Sequence, residues 1–153
     1  MSVVVTVVYN RMPVMAANLR AKASAGVRKT AFTYEGNLKQ RMTSGPKTGR
    51  MYITSVQVRE RATSLVVTRS YHQASAPGQA PAVDTGVLLN SIATEAIRGS
   101  LEATVSTSVE YAPHLEYGTM HMGARPAWTP EAELAATTYF PANMQQALGE
   151  AYR

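Results

Sequence analysis

The chain contains no cysteine. This absence excludes disulfide scaffolds, zinc ribbons, iron–sulfur sites and thiol nucleophiles. No apolar run approaches the roughly 18 residues that a membrane span needs. The first residues also lack the basic segment and the small-residue cleavage site of a secretory signal peptide. We therefore expect a protein without membrane contact that works in a reducing compartment, or in a particle assembled there.

Acidic residues are scarce in the first part of the chain. Residues 1–70 hold twelve Lys or Arg and two acids, a net charge of +10, whereas residues 71–153 hold three Arg and eight acids, a net charge of −5. A basic half can neutralise the phosphates of a nucleic acid. It can equally meet the acidic half of an identical subunit packed head to tail in a ring. We expect the second arrangement, with the basic excess on an outer helix, a hairpin and subunit contacts.

The length of 153 residues suits a single domain. Ser2–Tyr9 is a β-branched run of strand length. Pro13 suits the first turn of a helix, and apolar residues at spacings of three and four predict that this helix continues over Val14–Met42. Gly26 and Gly36 are positions where the helix could bend or break.

Two β-rich stretches follow, Met51–Val58 and Leu65–Tyr71. They flank a polar and basic tip, Arg59–Ser64, and together predict an extended β-hairpin at about residues 52–71. Because this hairpin has few apolar anchors, we expect it to be mobile in the free subunit and ordered in an assembly, where it reaches an adjacent ring.

Turn chemistry organises the next segment. Pro77-Gly78 predicts a type II turn within Ser75–Pro81, a segment ordered by contacts rather than by its own hydrogen bonds. Asp84 is expected to be the N-cap of a short helix whose Leu88 faces inward. Ile92–Arg98 and the alternating stretch Leu101–Val109 predict a second antiparallel hairpin.

The last part of the chain predicts more helix. Glu110–Tyr117 is expected to be a short helix that ends at Gly118 in a left-handed C-cap. A loop, Met120–Pro126, precedes a final helix from Thr129 or Pro130, which Pro141 should kink or split. The chain therefore predicts an α+β fold, in which a long N-terminal helix and a C-terminal helix pack on a mostly antiparallel sheet, plus the extended hairpin.

Catalytic patterns are sparse. His114 and His121 flank a helix end with Glu116 between them, but this spacing matches no zinc signature. His72, Ser75 and Asp84 could supply a triad only with the strained G-x-S-x-G elbow, which is missing. Dinucleotide-binding and Walker motifs are also missing. We therefore expect no enzyme activity, no metal and no cofactor.

Two longer motifs point to a family. His72–Ile92, HQASAPGQAPAVDTGVLLNSI, closely resembles the H-x-A-S-A-P-G-E-x-P-A-x-D-T-G-x-L-x-x-S-I stretch of tail-completion, or minor tail component, proteins of long-tailed phages. Tyr111–Thr119, followed by Met122 and Ala124–Pro126, resembles that family's Y-A-x-x-L-E-F-G-T…M-x-A-R-P-F-x-x-P. Gly49–Tyr52 is similar to its G-R-x-Y. The matching elements occur in the family's order.

The resemblance implies a structural virion protein without catalysis. Such a protein, assembled in the host cytoplasm, forms a ring, a hexamer by analogy with tail symmetry, in the neck between head and tail. Its implied partners are its own copies, a neighbouring stopper or adaptor ring and the tail tube protein, and genomic DNA only passes through the channel. A head-side stopper or connector ring stays an alternative, as does a basic DNA-binding accessory protein. Tyr117 and Trp128 depart from the family's phenylalanines, and the stretch between Tyr52 and His72 is longer than usual.

Two groups of residues are predicted to carry this role. Subunit or partner contacts are expected at Arg50, Arg59, Arg61, Arg69, His72, Ser75, Pro77, Gly78, Pro81, Glu116, Met120, Met122 and Arg125. The motif's own shape is expected to depend on Asp84, Thr85, Gly86, Leu88, Tyr111, Gly118 and Pro126. The alternative is that both motifs only stabilise the fold of the subunit.

Overall fold

The structure, a computed structural model, describes residues 12–61 and 64–150. The predicted strand Ser2–Tyr9 and the middle of the predicted hairpin tip lie outside these residues. The α+β prediction is confirmed, since a long N-terminal helix and a C-terminal helical segment accompany two small antiparallel sheets. Within residues 12–61 and 64–150 the strands form two separate two-stranded sheets rather than one. No helix within the described ranges has both the length and the apolar character needed to cross a bilayer.

Helix α1 spans Met12–Ser44 without interruption, so the predicted weak points do not break it. Gly26 instead lies buried where the C-terminal helix crosses, because a Cβ built on it would be 3.2 Å from the Cβ of Ala147. The apolar stripe packs only over its later turns. Leu38 and Met42 are fully buried, whereas Met15 remains half exposed.

A long arm leaves the body after α1. Strands β1 (Met51–Arg61) and β2 (Ser64–Gln73) pair antiparallel, which confirms the predicted hairpin. The pairing continues to Arg61 and Ser64, so the strands extend through most of the predicted tip. The register shifts between Ile53 and Ser55, where β1 carries a bulge.

The second hairpin is shorter than predicted. Strands β3 (Ala93–Glu95) and β4 (Thr104–Ser106) pair antiparallel, and the predicted ladder beyond them is loop. The alternation of burial continues past β4 to Val109, but Leu101, the first residue of the predicted alternating stretch, is 53% exposed.

The expectation that Asp84 caps a helix is wrong. Helix α2 spans Val87–Ser91, and its N-cap is Gly86, with φ 79° and no side-chain cap. Asp84 lies outside the helix, with its Oδ1 3.9 Å from the Nδ1 of His72. Gly86 replaces the side-chain cap because its positive φ turns the chain directly into the helix.

The predicted short helix and its glycine stop are present. Helix α3 spans Ala112–Tyr117 and ends at Gly118, which has φ 78° and ψ 178°. The φ is positive as expected, but the ψ is extended rather than left-handed helical. Only glycine adopts this region readily.

The C-terminal helix accommodates its proline by a local change of pitch. Helix α4 (Trp128–Leu134) continues through a π-helical turn (Ala135–Tyr139) into helix α5 (Phe140–Gly149). Pro141 lies just beyond that turn. It lacks an N–H and its ring crowds the preceding turn, so the wider turn relieves the clash without a break.

The core lies where α1 meets the motif segments. Its buried members are Leu38, Met42, Ala80, Ile92 and Ala127. Tyr34 and Trp128 pack against them with ring centroids 6.3 Å apart, and the Tyr34 hydroxyl donates to the Trp128 carbonyl at 3.2 Å. Burial, followed by the charges of Glu116 and Glu131, raises the pKa of Tyr34 to about 12, so this donor keeps its proton.

Candidate assembly site

Two loops far apart in the sequence interlock, and we call them the loop pair: Ser75–Pro81 and Met120–Pro126. The Gly78 N–H donates to the Ala124 carbonyl at 2.8 Å, and Arg125 Nε donates to the Ser75 carbonyl at 3.1 Å. A Cβ on Gly123 would lie 2.9 Å from the Cβ of Pro77, so the loops touch with no space for a side chain. The two motifs of the sequence are therefore one structural unit.

The first loop has the predicted turn. Gln79 N–H donates to the Ala76 carbonyl at 3.1 Å, and Gly78 has φ 82°, as the third residue of a type II turn requires. The Gln79 side chain then fixes the turn to the chain after α1. Its Oε1 accepts the N–H groups of Ala76 at 2.9 Å and Thr48 at 3.0 Å, and its Nε2 donates to the Thr48 hydroxyl at 2.8 Å.

The loop pair is also attached to the base of the arm. Lys47 Nζ donates to the carbonyls of Ala80 and Pro81 at 3.3 Å each, and its burial lowers the pKa of Lys47. Gly49 donates to the Ala74 carbonyl at 2.9 Å, and a Cβ there would be 2.6 Å from that oxygen. The arm therefore starts from a fixed point on the body.

Glu116 holds the start of α4 from a distance. Its Oε2 accepts the N–H groups of Ala127 at 2.8 Å and Trp128 at 3.1 Å, and its Oε1 accepts that of Thr129 at 2.8 Å. Burial alone would raise the pKa of Glu116, but these hydrogen bonds outweigh burial and hold it below its ordinary value. The carboxylate caps the otherwise unpaired N–H groups at a helix N-terminus.

The predicted motif residues converge on one cleft of about 270 Å³. The predicted residues that line it are His72, Ser75, Pro81, Asp84, Thr85, Gly86, Leu88, Tyr111 and Arg125. The cleft therefore collects residues from both motifs and from the arm's base. Gly118 and Pro126 do not line the cleft. Pro126 ends the second loop, and Gly118 ends helix α3 just before that loop.

Predicted contact residues divide into buried and exposed sets. Ser75, Pro81 and Glu116 are buried in the subunit, where Ser75 and Glu116 form hydrogen bonds within the chain. Met120, at the tip of the turn between Thr119 and Met122, is 94% exposed. The exposed predicted residues are Arg50, Arg59, Arg69, Pro77, Gly78 and Met120. His72, Met122 and Arg125 are half-buried, and Arg61 lies at the end of β1.

Much of the charge on α1 is paired inside the subunit. Lys39 contacts Glu35 at 2.6 Å. Lys22 reaches Glu150 at 3.2 Å, and Arg41 reaches the buried Glu131 at 3.1 Å. Some basic residues of the first half therefore pair with acidic residues of the second half within one chain, where α1 contacts the C-terminal helix. The two halves were expected to meet across subunits. The basic residues that stay exposed and outside any described ion pair include Arg50, Arg59 and Arg69, at and along the arm.

The arm has one apolar face, which the sequence reading missed. Paired residues of an antiparallel ladder share a face, and alternate residues along a strand return to it. The register places the pairs Ile53–Tyr71, Val56–Arg69 and Val58–Val67 on one face. Its apolar members are between 48% and 58% exposed, so none of the other residues that the structure describes covers them. The bulge hid this face, because it breaks the period-two pattern along β1.

The opposite face of the arm is mostly polar. The register places the pairs Ser55–Ser70, Gln57–Thr68 and Arg59–Val66 there, and all of these side chains are exposed. The arm is therefore amphipathic, although no other described helix or strand packs extensively against it.

No protein-family model, no curated protein and no solved structure matches the chain.

Proposed function

We propose that this protein is a structural subunit of a tailed-phage virion, which forms a ring in the neck, completes the tail and joins it to the head. The observation that carries the proposal is the loop pair. The segments resembling the family's two motifs are joined by the Gly78–Ala124 and Ser75–Arg125 hydrogen bonds. A chance resemblance between two short segments would give no reason for them to be in contact.

The surface of the subunit supports an assembly role. An arm with strands of 11 and 10 residues leaves the body with both faces exposed. Two-stranded hairpins are marginal in water unless another element covers one face. In a ring, a neighbouring subunit would cover one face of the arm, and this cover would form only in the assembled particle.

The proposed partners follow from the same role. Identical subunits form the ring, a hexamer by analogy with tail symmetry, and the neighbouring neck ring and the tail tube protein lie above and below it. The basic tip of the arm reaches the adjacent ring. Within the same class, a head-side stopper ring would use the same surfaces, and only the position of the ring along the neck separates the two roles.

A DNA-binding role is less well supported by the charges. Four basic residues of α1 donate to side chains of the same subunit: Lys22, Lys29, Lys39 and Arg41. A channel through which DNA slides also gains nothing from a wall that grips phosphates. A gel-shift titration with salt tests this class, since micromolar affinity with a steep salt dependence is the signature of phosphate contacts.

Depletion and complementation test the neck role. Phage particles made without this protein should accumulate as separate full heads and tails, and adding the purified protein should restore joined particles. A variant lacking residues 59–64 should fold but fail to restore joining. Normal joined and infectious particles in the absence of the protein would contradict the proposal.

A further inference from the structure

The neck role alone does not explain why one face of the arm is apolar and exposed. We call this surface the apolar arm face. We define it as Ile53, Val56, Val58, Val67 and Tyr71 around Arg69. We propose that the apolar arm face of one subunit docks into the groove beside Trp128 of a second copy of the same chain. This inference rests on the proposed function, because it specifies which surfaces hold neighbouring subunits together in the ring.

The chemistry of the arm face sets a requirement on its partner. Arg69 pairs with Val56 in the ladder and has Val58–Val67 and Ile53–Tyr71 as the next pairs on its face. When this face is covered, the guanidinium loses water, and an ion buried without a partner is strongly unfavourable. The surface that covers the face must therefore be apolar and must carry an available carboxylate.

One surface of the same chain meets both requirements. A groove of about 450 Å³ runs between the segment after β4 and helix α3, and its apolar lining is Val109, Ala112, Pro113, Tyr117 and Trp128. We call it the Trp128 groove. Glu110 also lines it, is exposed and forms no ion pair within the described part of the chain. Tyr117 is 78% exposed, so the groove is open to a partner.

Charge favours a second copy as the occupant. The only acid between Glu35 and Asp84 is Glu60, so the arm segment is strongly basic. The exposed acids without an ion partner among the described residues all lie after the arm: Glu95, Glu102, Glu110 and Glu133. An arm from one copy and a groove from the next bring these opposite charges together, and repetition of this head-to-tail contact closes a ring.

The reach of the arm is sufficient for such a contact. A strand of 10 residues, as in β2, spans about 33 Å at about 3.3 Å per residue. That length exceeds the diameter of a helix with its side chains, about 10–12 Å, so the arm can cross a neighbouring helix. The polar face and the tip remain available to the adjacent ring.

Site-specific cross-linking tests the contact, because the chain has no cysteine of its own. A Val67→Cys subunit mixed with a Tyr117→Cys subunit and oxidised should give a mixed disulfide dimer. Thr68→Cys mixed with Tyr117→Cys is the matched control, since Thr68 is the next residue along β2 but lies on the opposite face. We expect the control yield to be lower by roughly tenfold, as only one strand face points to the groove.

A charge exchange gives an independent readout. Arg69→Glu and Glu110→Arg should each weaken self-association by roughly tenfold or more, and the double variant should recover most of it. Arg59→Glu is the control, because it makes the same change of charge on the polar face of the arm. It should weaken self-association far less than Arg69→Glu. Equal cross-linking of the Val67 and Thr68 variants, no cross-linking of either, or a double variant no better than the singles would overturn the arm–groove contact.

These results separate the two proposals. Particles that contain the protein in their neck but give no Val67–Tyr117 cross-link would refute the arm–groove contact and leave the neck role intact. Strong, face-specific cross-linking of a protein that is missing from virions would refute the neck role and leave the self-association intact.

Discussion

The Gly78 N–H and the Ala124 carbonyl are joined by a 2.8 Å hydrogen bond, although the two residues belong to motifs that are far apart in the sequence. Arg125 Nε strengthens the join by donating to the Ser75 carbonyl. Residues of both motifs bind each other within the subunit. The two loops therefore pack against each other within the subunit, whereas Met120 and the arm remain exposed.

Close approach of the loop pair makes a glycine substitution informative. Gly123→Ala places a methyl group 2.9 Å from the Cβ of Pro77, so the loops must separate, and we expect a loss of about 1–3 kcal/mol in the free energy of unfolding. Gly36→Ala is the matched control. It lies in α1 with no atom within 4 Å of the new methyl group, and should gain about 0.5–1 kcal/mol. Urea unfolding of both variants is the measurement, and a Gly123→Ala protein as stable as wild type would refute the interlock.

Glu116 provides a second test of the motif's internal role. Glu116→Gln keeps one carbonyl acceptor but removes the charge and the second acceptor from three N–H donors, which should lower stability by about 1–3 kcal/mol. Glu133→Gln, an exposed carboxylate in α4, should have little effect. Thermal unfolding followed by circular dichroism compares the two variants. Equal melting temperatures would contradict a stabilising role for Glu116 as the cap of α4.

The same carboxylate should make stability depend on acid pH. The folded-state pKa of Glu116 lies below its ordinary value of 4.5, so its contribution is complete above that value and is lost as the pH falls through the folded pKa. The pKa of Glu35 is lowered too, by hydrogen bonds from Lys39 and Thr94. We expect the urea midpoint to decline below about pH 4.5. Glu116→Gln should make the decline shallower, and an unchanged slope in that variant would contradict this assignment.

The ion pairs within the subunit should differ sharply in their contribution to the free energy of unfolding. Arg41→Met leaves the buried Glu131 carboxylate without its cation and should cost about 3 kcal/mol. Lys22→Met removes a solvent-exposed partner of Glu150 and should change stability very little. Chemical denaturation at low and high salt measures both. Similar effects for the two variants would contradict the predicted difference between the buried and the exposed ion pair.

The arm should be the least protected ordered part of the free subunit. Its strands contact mainly each other, with every described side chain at 51–59 and 66–71 exposed, so local opening should require little free energy. Hydrogen exchange of the monomer should be fast in the arm and slow in the later turns of α1. Protection of the arm should rise upon assembly, and strong protection already present in the monomer would contradict this expectation.

Local patterns predicted much of the fold, and contacts between distant residues explain what they missed. The three-to-four spacing located α1, the proline and glycine placed the turn at Ala76–Gln79, and the β-rich stretches located the arm. The prediction that Asp84 caps helix α2 was wrong because a glycine with positive φ, Gly86, starts this helix without a side-chain cap. Glu116 has nothing in its local sequence to mark it as the cap of α4, whose first residue, Trp128, follows twelve positions later. The apolar arm face escaped notice because one bulge shifts the alternation, and a bulge depends on the pairing of two strands.

Reconstruction of the virion neck by cryo-electron microscopy tests the proposed neck role and the arm–groove contact together. We expect a ring of identical copies of this chain between head and tail, with the apolar arm face of each subunit seated on the Trp128 groove of its neighbour and the channel open for DNA. A neck whose density is fully explained by other proteins, with this chain missing from purified particles, would contradict this expectation.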